Sequence, residues 1–233
     1  MFLFSQALLS RYMKQDMVLR MLERPSTRTG RRFVSEEWLR RYAAKRMIYW
    51  TLYRDLLSPA HDRRRVLDVG GGFCSLSHLL LQHNAYTLLD IMVHDSHKHL
   101  RDIEAAGHKR FWVNSSWSKF RPRYVYDVVV ANDLFCNADQ RLEMFLETFL
   151  PVARTIRLSL TYHNTPRHYE VKRVDAEEVL NIVAWDGQQV ARVLKKFSRY
   201  IDEPTFSFLD RTKPSLFNNG RQVCSVTLSG TQA

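Results

Sequence analysis

Val66-Leu67-Asp68-Val69-Gly70-Gly71-Gly72-Phe73-Cys74-Ser75-Leu76-Ser77 is the stretch around which the chain is organised. A short apolar run closes on a carboxylate, bends through three glycines and opens into helical spacing at Leu76, Leu79 and Leu80. The pattern predicts a strand, a tight turn and a helix. Glycine suits the bend because, lacking Cβ, it accepts positive φ and lets a ligand approach the backbone. A helix starting at such a turn aims its free N–H groups at whatever binds there. A dinucleotide fingerprint needs G-x-G-x-x-G with pyrophosphate over the helix start. Gly70 and Gly72 fill its first two positions, but Ser75 stands at the third. Asp68, just ahead of the glycines, would repel a pyrophosphate and attract an ammonium group.

Downstream, strand and helix patterns alternate. Cys74–Gln82 reads as a crossover helix and Ala85–Ile91 as a second buried strand carrying Asp90 at its end. The interval from Asp68 to Asp90 fits one helix plus one strand. Both carboxylates are thus expected at one edge of a parallel sheet, where open α/β sheets bind ligands. A helix over Ser96–Ala106 stops at Gly107, and a third strand, Lys109–Val113, leads into Asn114-Ser115-Ser116-Trp117. The fourth strand, Tyr126–Ala131, delivers Asn132-Asp133-Leu134-Phe135-Cys136-Asn137 to the same edge, ahead of a helix over Asp139–Leu150. The fifth, Ile156–Leu160, is followed by Thr161-Tyr162-His163-Asn164. Asp175 with Glu178 resembles a capping box for a long helix to about Phe197, bent at Gly187. Thr205–Leu209 and Val223–Leu228 are expected to close the sheet as an antiparallel hairpin.

Upstream, Phe2–Leu22 has helical spacing, and Pro25–Gly30 breaks it. Ser35 is a plausible N-cap, with Glu36 and Glu37 favourably placed at the positive end of a helix running to about Leu57. Residues 1–60 are therefore expected as a helical cap or lid and residues 61–233 as a Rossmann-like α/β domain. The aromatic stripe Tyr12, Trp38, Tyr42, Tyr49 and Tyr53 fits either core packing or a lid whose ring faces meet a cationic ligand.

With 233 residues, 45% apolar and 25% charged, the composition is that of an ordinary globular protein rather than a disordered chain. Gln6, Arg11 and Lys14 interrupt the apolar N-terminus too soon for a signal peptide or a spanning helix. Three cysteines without metal-type spacing are the usage of a reducing compartment, so a cytoplasmic location is expected. The net charge of +11 is spread along the chain, with one concentration from Arg24 to Arg46 and no basic block interleaved with aromatics. Nucleic acid and membrane are not the expected partners. His94, His97 and His99 are closely spaced, but positions 97 and 99 leave a helix on different sides, so no metal site is expected.

On these residues the chain resembles the class I S-adenosylmethionine-dependent methyltransferases. Their first motif reads hydrophobic-hydrophobic-Asp/Glu-hydrophobic-Gly-x-Gly-x-Gly, with Cys74 here in place of the last glycine. The resemblance covers about Arg65 to Leu228. It implies a seven-stranded, mostly parallel Rossmann-like sheet with S-adenosylmethionine as cofactor. Asp68, Gly70, Gly71 and Gly72 would hold the methionine end, Asp90 the ribose, and Asn114 and Ser115 the adenine, with Ile91 a further cofactor contact. Asn132 would touch the cofactor, Asp133, Asn137 and Tyr162 would act at the acceptor, and Tyr12, Trp38 and Tyr42 would form substrate or lid contacts. Tyr162 or His163 could accept a proton or position a group. The implied reaction is methyl transfer to a small-molecule acceptor. Enzymes of this class acting on nucleobase or glutamine amino groups carry Asn/Asp-Pro-Pro-aromatic after the fourth strand, and this chain has no proline there. One branch instead cyclises S-adenosylmethionine to azetidine-2-carboxylate with release of methylthioadenosine, and that is the alternative. An RNA methyltransferase is a weaker one. A cofactor-free partner subunit is argued against by the intact Asp68, Gly70, Gly72 and Asp90.

Overall fold

In the computed structural model, which describes residues 1–24, 33–59, 62–92, 95–136, 138–172, 179–210 and 212–230, the chain begins as an edge strand. This strand, β1 (Phe2–Leu3), is followed by α1 (Gln6–Met13) and α2 (Met17–Glu23). The single helix expected over Phe2–Leu22 is thus interrupted, and the break between α1 and α2 has a clear cause. Asp16 takes a left-handed φ of 34° and caps α2 by accepting from Leu19 N at 3.3 Å. Arg46, only 5% exposed, donates to the Asp16 carboxylate from Nε at 3.0 Å and Nη2 at 2.8 Å, and to the Leu39 and Arg40 carbonyls. A buried guanidinium requires a full set of acceptors, and the turn at Asp16 supplies the anionic one.

α3 (Val34–Arg41) and α4 (Ala43–Tyr53) replace the one helix expected up to Leu57, because Tyr42 between them is extended at φ −118° and ψ 107°. Phe33 rather than Ser35 holds the N-cap position of α3. The following alternation matches expectation: β2 (Arg65–Val69), α5 (Ser75–His83), β3 (Ala85–Leu89), α6 (His97–Ala106), β4 (Trp112–Val113), β5 (Tyr126–Asn132), α7 (Leu142–Phe149) and β6 (Ala153–Tyr162). The expected turn Pro25–Gly30 lies outside the described residues.

Beyond β6 the expectation of one long helix is wrong. β7 (Arg167–Lys172) and β8 (Val179–Ala184) form an antiparallel hairpin, and α8 (Gly187–Lys196) begins only after it. The working capping box is Asp186 with Gln189, each side chain bonded to the other's backbone N–H; Asp175 and Glu178 lie outside the described residues. Gly187 does not bend a helix but opens one. A Cβ there would overlap the Leu209 carbonyl, so only glycine lets the 205–209 segment pack against the start of α8. That packing, with a turn bond from Leu209 N to Phe206 O, keeps Thr205–Leu209 from being the strand predicted for it. Its place in the sheet is taken by β1, which pairs with β9 (Gln222–Ser229).

The sheet has seven strands in the order β1-β9-β6-β5-β2-β3-β4. β2 to β6 are mutually parallel, β9 runs antiparallel to β6, and β1 antiparallel to β9. It is the Rossmann-like, mostly parallel sheet expected. Both faces are covered, as a parallel sheet requires. Leu67, Val69, Val129 and Ala131 pack with Phe145 and Phe149 of α7 and Leu194 of α8. Val66, Val128 and Val130 pack on the other face with Leu52 and Tyr53 of α4 and Leu76 and Leu80 of α5. The chain leaves β2 for β3 on one side while β5 lies on the other. A crevice therefore opens beyond the carboxyl ends of these strands. Among the described residues no helix is long and apolar enough to cross a membrane.

Candidate functional site

A cavity of about 430 Å³ occupies that crevice. Its floor is the glycine turn. Gly70 and Gly72 both have φ of +67°, which favours glycine over any side-chain-bearing residue. A Cβ on Gly71 would overlap the Asp68 carboxylate, and one on Gly72 would press on Ser35 Cβ at 2.9 Å. Gly70, Gly71 and Gly72 all line the cavity, whereas Asp68 stands behind them, buried in the second core face. Its two oxygens accept from Tyr53 Oη and Tyr86 Oη, each at 2.8 Å. Burial pushes the Asp68 carboxyl up to about 7, against the pull of the two tyrosine hydroxyls and helped by the charge of Asp90.

Asp90, one residue past β3, does face the cavity. Oδ2 accepts from Gly72 N at 3.0 Å and Oδ1 from Met92 N at 2.7 Å, so one carboxylate sets both the glycine turn and the loop after β3. Ile91, half exposed, lines the cavity beside it. Asp95 accepts from Val34 N at 3.0 Å and so ties the first turn of α3 to this loop.

α3 roofs the turn. Ser35 Oγ donates to the Phe73 carbonyl, and Glu36, which is buried, accepts from both Ser75 N (2.9 Å) and Ser75 Oγ. Glu36 is held in turn by Arg40 Nη2 at 2.9 Å. The positive start of α5 is therefore already satisfied by a carboxylate of the protein itself. This pairing differs from the expectation that Glu36 would serve the start of its own helix.

At the end of β5, Asn132 Oδ1 accepts from Ser159 Oγ at 2.8 Å. Asp133 follows with φ of 58° and Oδ1 accepting from Thr161 Oγ1 at 3.0 Å. Oδ2 meets Lys45 Nζ of α4 at 3.0 Å and Arg221 Nη1 at 3.5 Å. Burial alone would raise the Asp133 pKa, but Arg221 and Lys45 override it and hold the carboxyl well below the ordinary range. Lys45 also lies 4.9 Å from the Trp38 ring centre, so the expected lid residue Trp38 does reach the cavity.

Other expected site residues do not. Tyr12 lies outside the cavity lining and turns its hydroxyl to Asp16 and Val18 N. Tyr42 is 43% exposed and points elsewhere. Asn114 is exposed, and Ser115 Oγ donates to the neighbouring Ser116 carbonyl; neither lines the cavity. Asn137 lies outside the described residues. Tyr162 is 1% exposed within the core, its hydroxyl has no hydrogen-bond partner, and burial pushes its pKa up, so it is not placed as a catalytic group. Tyr162→Phe is expected to leave ligand binding unchanged. By removing an unsatisfied buried hydroxyl it should raise stability by about 1 kcal/mol, which differential scanning calorimetry would read as a Tm rise of about 2–4 °C. His94 lies outside the described residues, and His97 Nε2 sits 3.1 Å from the Ile91 carbonyl. Among the described residues no group of three His, Cys, Asp or Glu could hold a metal ion.

Sequence reasoning missed Lys45, Arg221, Glu36 and the hairpin residues Tyr169 and Ile182 at the cavity wall. Lys45 and Arg221 carried no local signal, being two of many basic residues. The hairpin had one, the short, mostly apolar run Val179-Leu180-Asn181-Ile182-Val183-Ala184, rich in β-branched residues. Tyr49, expected in the aromatic stripe, lines the cavity too, stacked 4.3 Å from Tyr53.

No family model matches the chain, and no curated protein matches it in sequence. Solved structures do. The N-terminal domain of EvdMO1, with SAH bound, aligns at TM-score 0.51 and 11% identity over 78% of each chain. The 1,6-didemethyltoxoflavin-N1-methyltransferase of Burkholderia thailandensis, with its substrate and S-adenosylhomocysteine bound, aligns at TM-score 0.48 and 16% identity over 97% of this chain and 88% of that one. The magnesium protoporphyrin IX methyltransferase of Synechocystis, with SAM bound, gives 0.46 and 14% over 98% and 99%. The chain has the class I methyltransferase fold.

Proposed function

We propose that this protein is an S-adenosylmethionine-dependent methyltransferase acting on a small-molecule acceptor. The observation that carries this reading is the contrast between two sites at the glycine turn. The start of α5, which a dinucleotide pyrophosphate would need, is filled by Glu36, while Asp90 presents a carboxylate to the cavity where ribose hydroxyls could donate to it. A cofactor with a ribose and no phosphate fits this arrangement; a dinucleotide does not.

S-adenosylmethionine supplies a methyl carbon made electrophilic by its sulfonium. The protein's share is then alignment and exclusion of water. Asp90 would hold the ribose, with Ile91 and Met92 against the adenosine, and the Gly70–Gly72 backbone would lie along the amino-acid portion. Asp68 acts from behind the turn, as a support for Gly71, rather than by direct contact. α3 and Trp38 cover the reacting centre. Asn132 and Asp133 face it from β5. Because Lys45 and Arg221 keep Asp133 ionised, it is a weak proton acceptor and a better positioning group for the acceptor.

The test is incubation of the purified protein with S-adenosylmethionine and a panel of small amines, phenols and acids, followed by mass spectrometry. S-adenosylhomocysteine formed only with a methylated product is the expected result. Methylthioadenosine released without any acceptor would replace methyl transfer by the cyclisation alternative. Retention of the protein on RNA at physiological salt would favour a nucleic-acid acceptor.

A further inference from the structure

Charge in the cavity is divided along the sheet. Asp90 and Asp95 lie beyond β3; Lys45, Asp133 and Arg221 gather on the far side of β2, at β5 and β9. In that second group two cations share one carboxylate, and both contact the same oxygen, Asp133 Oδ2. The other oxygen is taken by Thr161. The side chains of Lys45 and Arg221 are 23% and 12% exposed, so one positive charge is left enclosed without its own anion. Arg221 Nε is buried and has no hydrogen-bond partner. The Phe217 ring, 3.9 Å from the Arg221 guanidinium, and the Trp38 ring beside Lys45 offer their π faces but no anion. Arg167, which donates to the Asn219 carbonyl at the cavity rim, adds a further cation. His163, pushed down to about 4 by burial and by Arg167 and Arg221, contributes no charge at neutral pH.

We propose that Lys45 and Arg221, set in place by Asp133, form a carboxylate-binding subsite. A carboxylate presents two coplanar oxygens to the edge of a guanidinium, and its single negative charge equals the excess left by the trio. The surrounding wall of Trp38, Ile48, Tyr169 and Ile182 suits the apolar body of such a ligand. Two ligands can supply the group: an acceptor acid, or the amino-acid tail of the cofactor. Naming these two rests on the methyltransferase reading; the subsite itself does not.

The experiment is calorimetric titration of the full chain and of Arg221→Gln, Lys45→Met and Arg221→Lys. Probes are S-adenosylhomocysteine and methylthioadenosine, then benzoate and indole-3-acetate against benzamide and indole-3-acetamide, with and without saturating S-adenosylhomocysteine. In the wild type, acids are expected to bind at least about tenfold tighter than their amides, or S-adenosylhomocysteine than methylthioadenosine, with that preference lost in Arg221→Gln and partly kept in Arg221→Lys. An acid preference that survives saturation assigns the subsite to the acceptor. Competition between acids and S-adenosylhomocysteine assigns it to the cofactor tail. If Arg221→Gln melts early, Lys45→Met is read in its place. Equal binding of acids and amides together with equal binding of the two nucleosides in the wild type overturns the proposal, as do ratios unchanged in a folded variant. Failure of both nucleosides to bind, with acids still preferred, sinks the methyltransferase reading and leaves the subsite standing.

Discussion

Asp90→Ala is expected to weaken S-adenosylhomocysteine binding about a hundredfold, measured by isothermal titration calorimetry. Two effects add. The ribose hydroxyls would lose a charged acceptor, and a hydrogen bond to a charged group is worth about 1.5–3 kcal/mol. Gly72 N and Met92 N would lose theirs as well, so the glycine turn and the loop after β3 would no longer be fixed to each other. Asp90→Asn separates the two. It keeps one oxygen acceptor and is expected to cost about tenfold, because its amide cannot accept from both sides at once. Binding of the alanine variant within threefold of wild type would remove the ribose from Asp90 and with it the main support for the cofactor.

A stability curve against pH should show a different carboxylate at work. Asp68 titrates near 7 when folded and near the ordinary carboxylate value when unfolded, because burial penalises its charged form. A raised carboxyl pKa means that the folded state binds the proton more tightly between about pH 4 and pH 7. The contribution of Asp68 is therefore fully present at the acid end of that window and is lost as pH rises through 7. Three units correspond to on the order of 4 kcal/mol. His163, held neutral in the fold, slopes the opposite way over part of the same range, so the informative quantity is a difference. Asp68→Asn, of nearly the same shape, should exceed the wild type in Tm by about 3–6 °C at pH 5, where part of the difference is already present, and by about 8–16 °C at pH 8. Parallel melting curves for the two proteins across pH 5–8 would show that Asp68 is charged, or solvated, throughout.

Much of this site could be read in the chain before its fold. Val66–Ser77 announces the strand, the turn and the helix, because glycine's tolerance of positive φ and the two hydrophobic periods are local properties. The interval to Asp90 places a second carboxylate at the same edge for the same reason. What local pattern could not show is which neighbours compete for a group. Tyr162 looked like a free hydroxyl at a strand end, yet it points into the core. Asn114 and Ser115 sit in the expected loop, since β4 ends at Val113 as predicted, yet neither lines the cavity. The capping-box pattern at Asp175 and Glu178 outweighed the β-branched apolar run after it, and the true box lay eleven residues on, at Asp186.

The sequence by itself determined the parallel sheet, the glycine turn and the carboxylate at the end of β3, because each depends on periodicity or on a residue's own conformational range. Only the tertiary structure decided that β1 rather than Thr205–Leu209 completes the sheet, that Glu36 occupies the start of α5, and that Lys45 and Arg221 share Asp133. Those are contacts between residues 39, 88 and more than 200 positions apart. Charge and packing at such separations are set by how the layers dock, and a charged side chain's partner is not written in its neighbours along the chain.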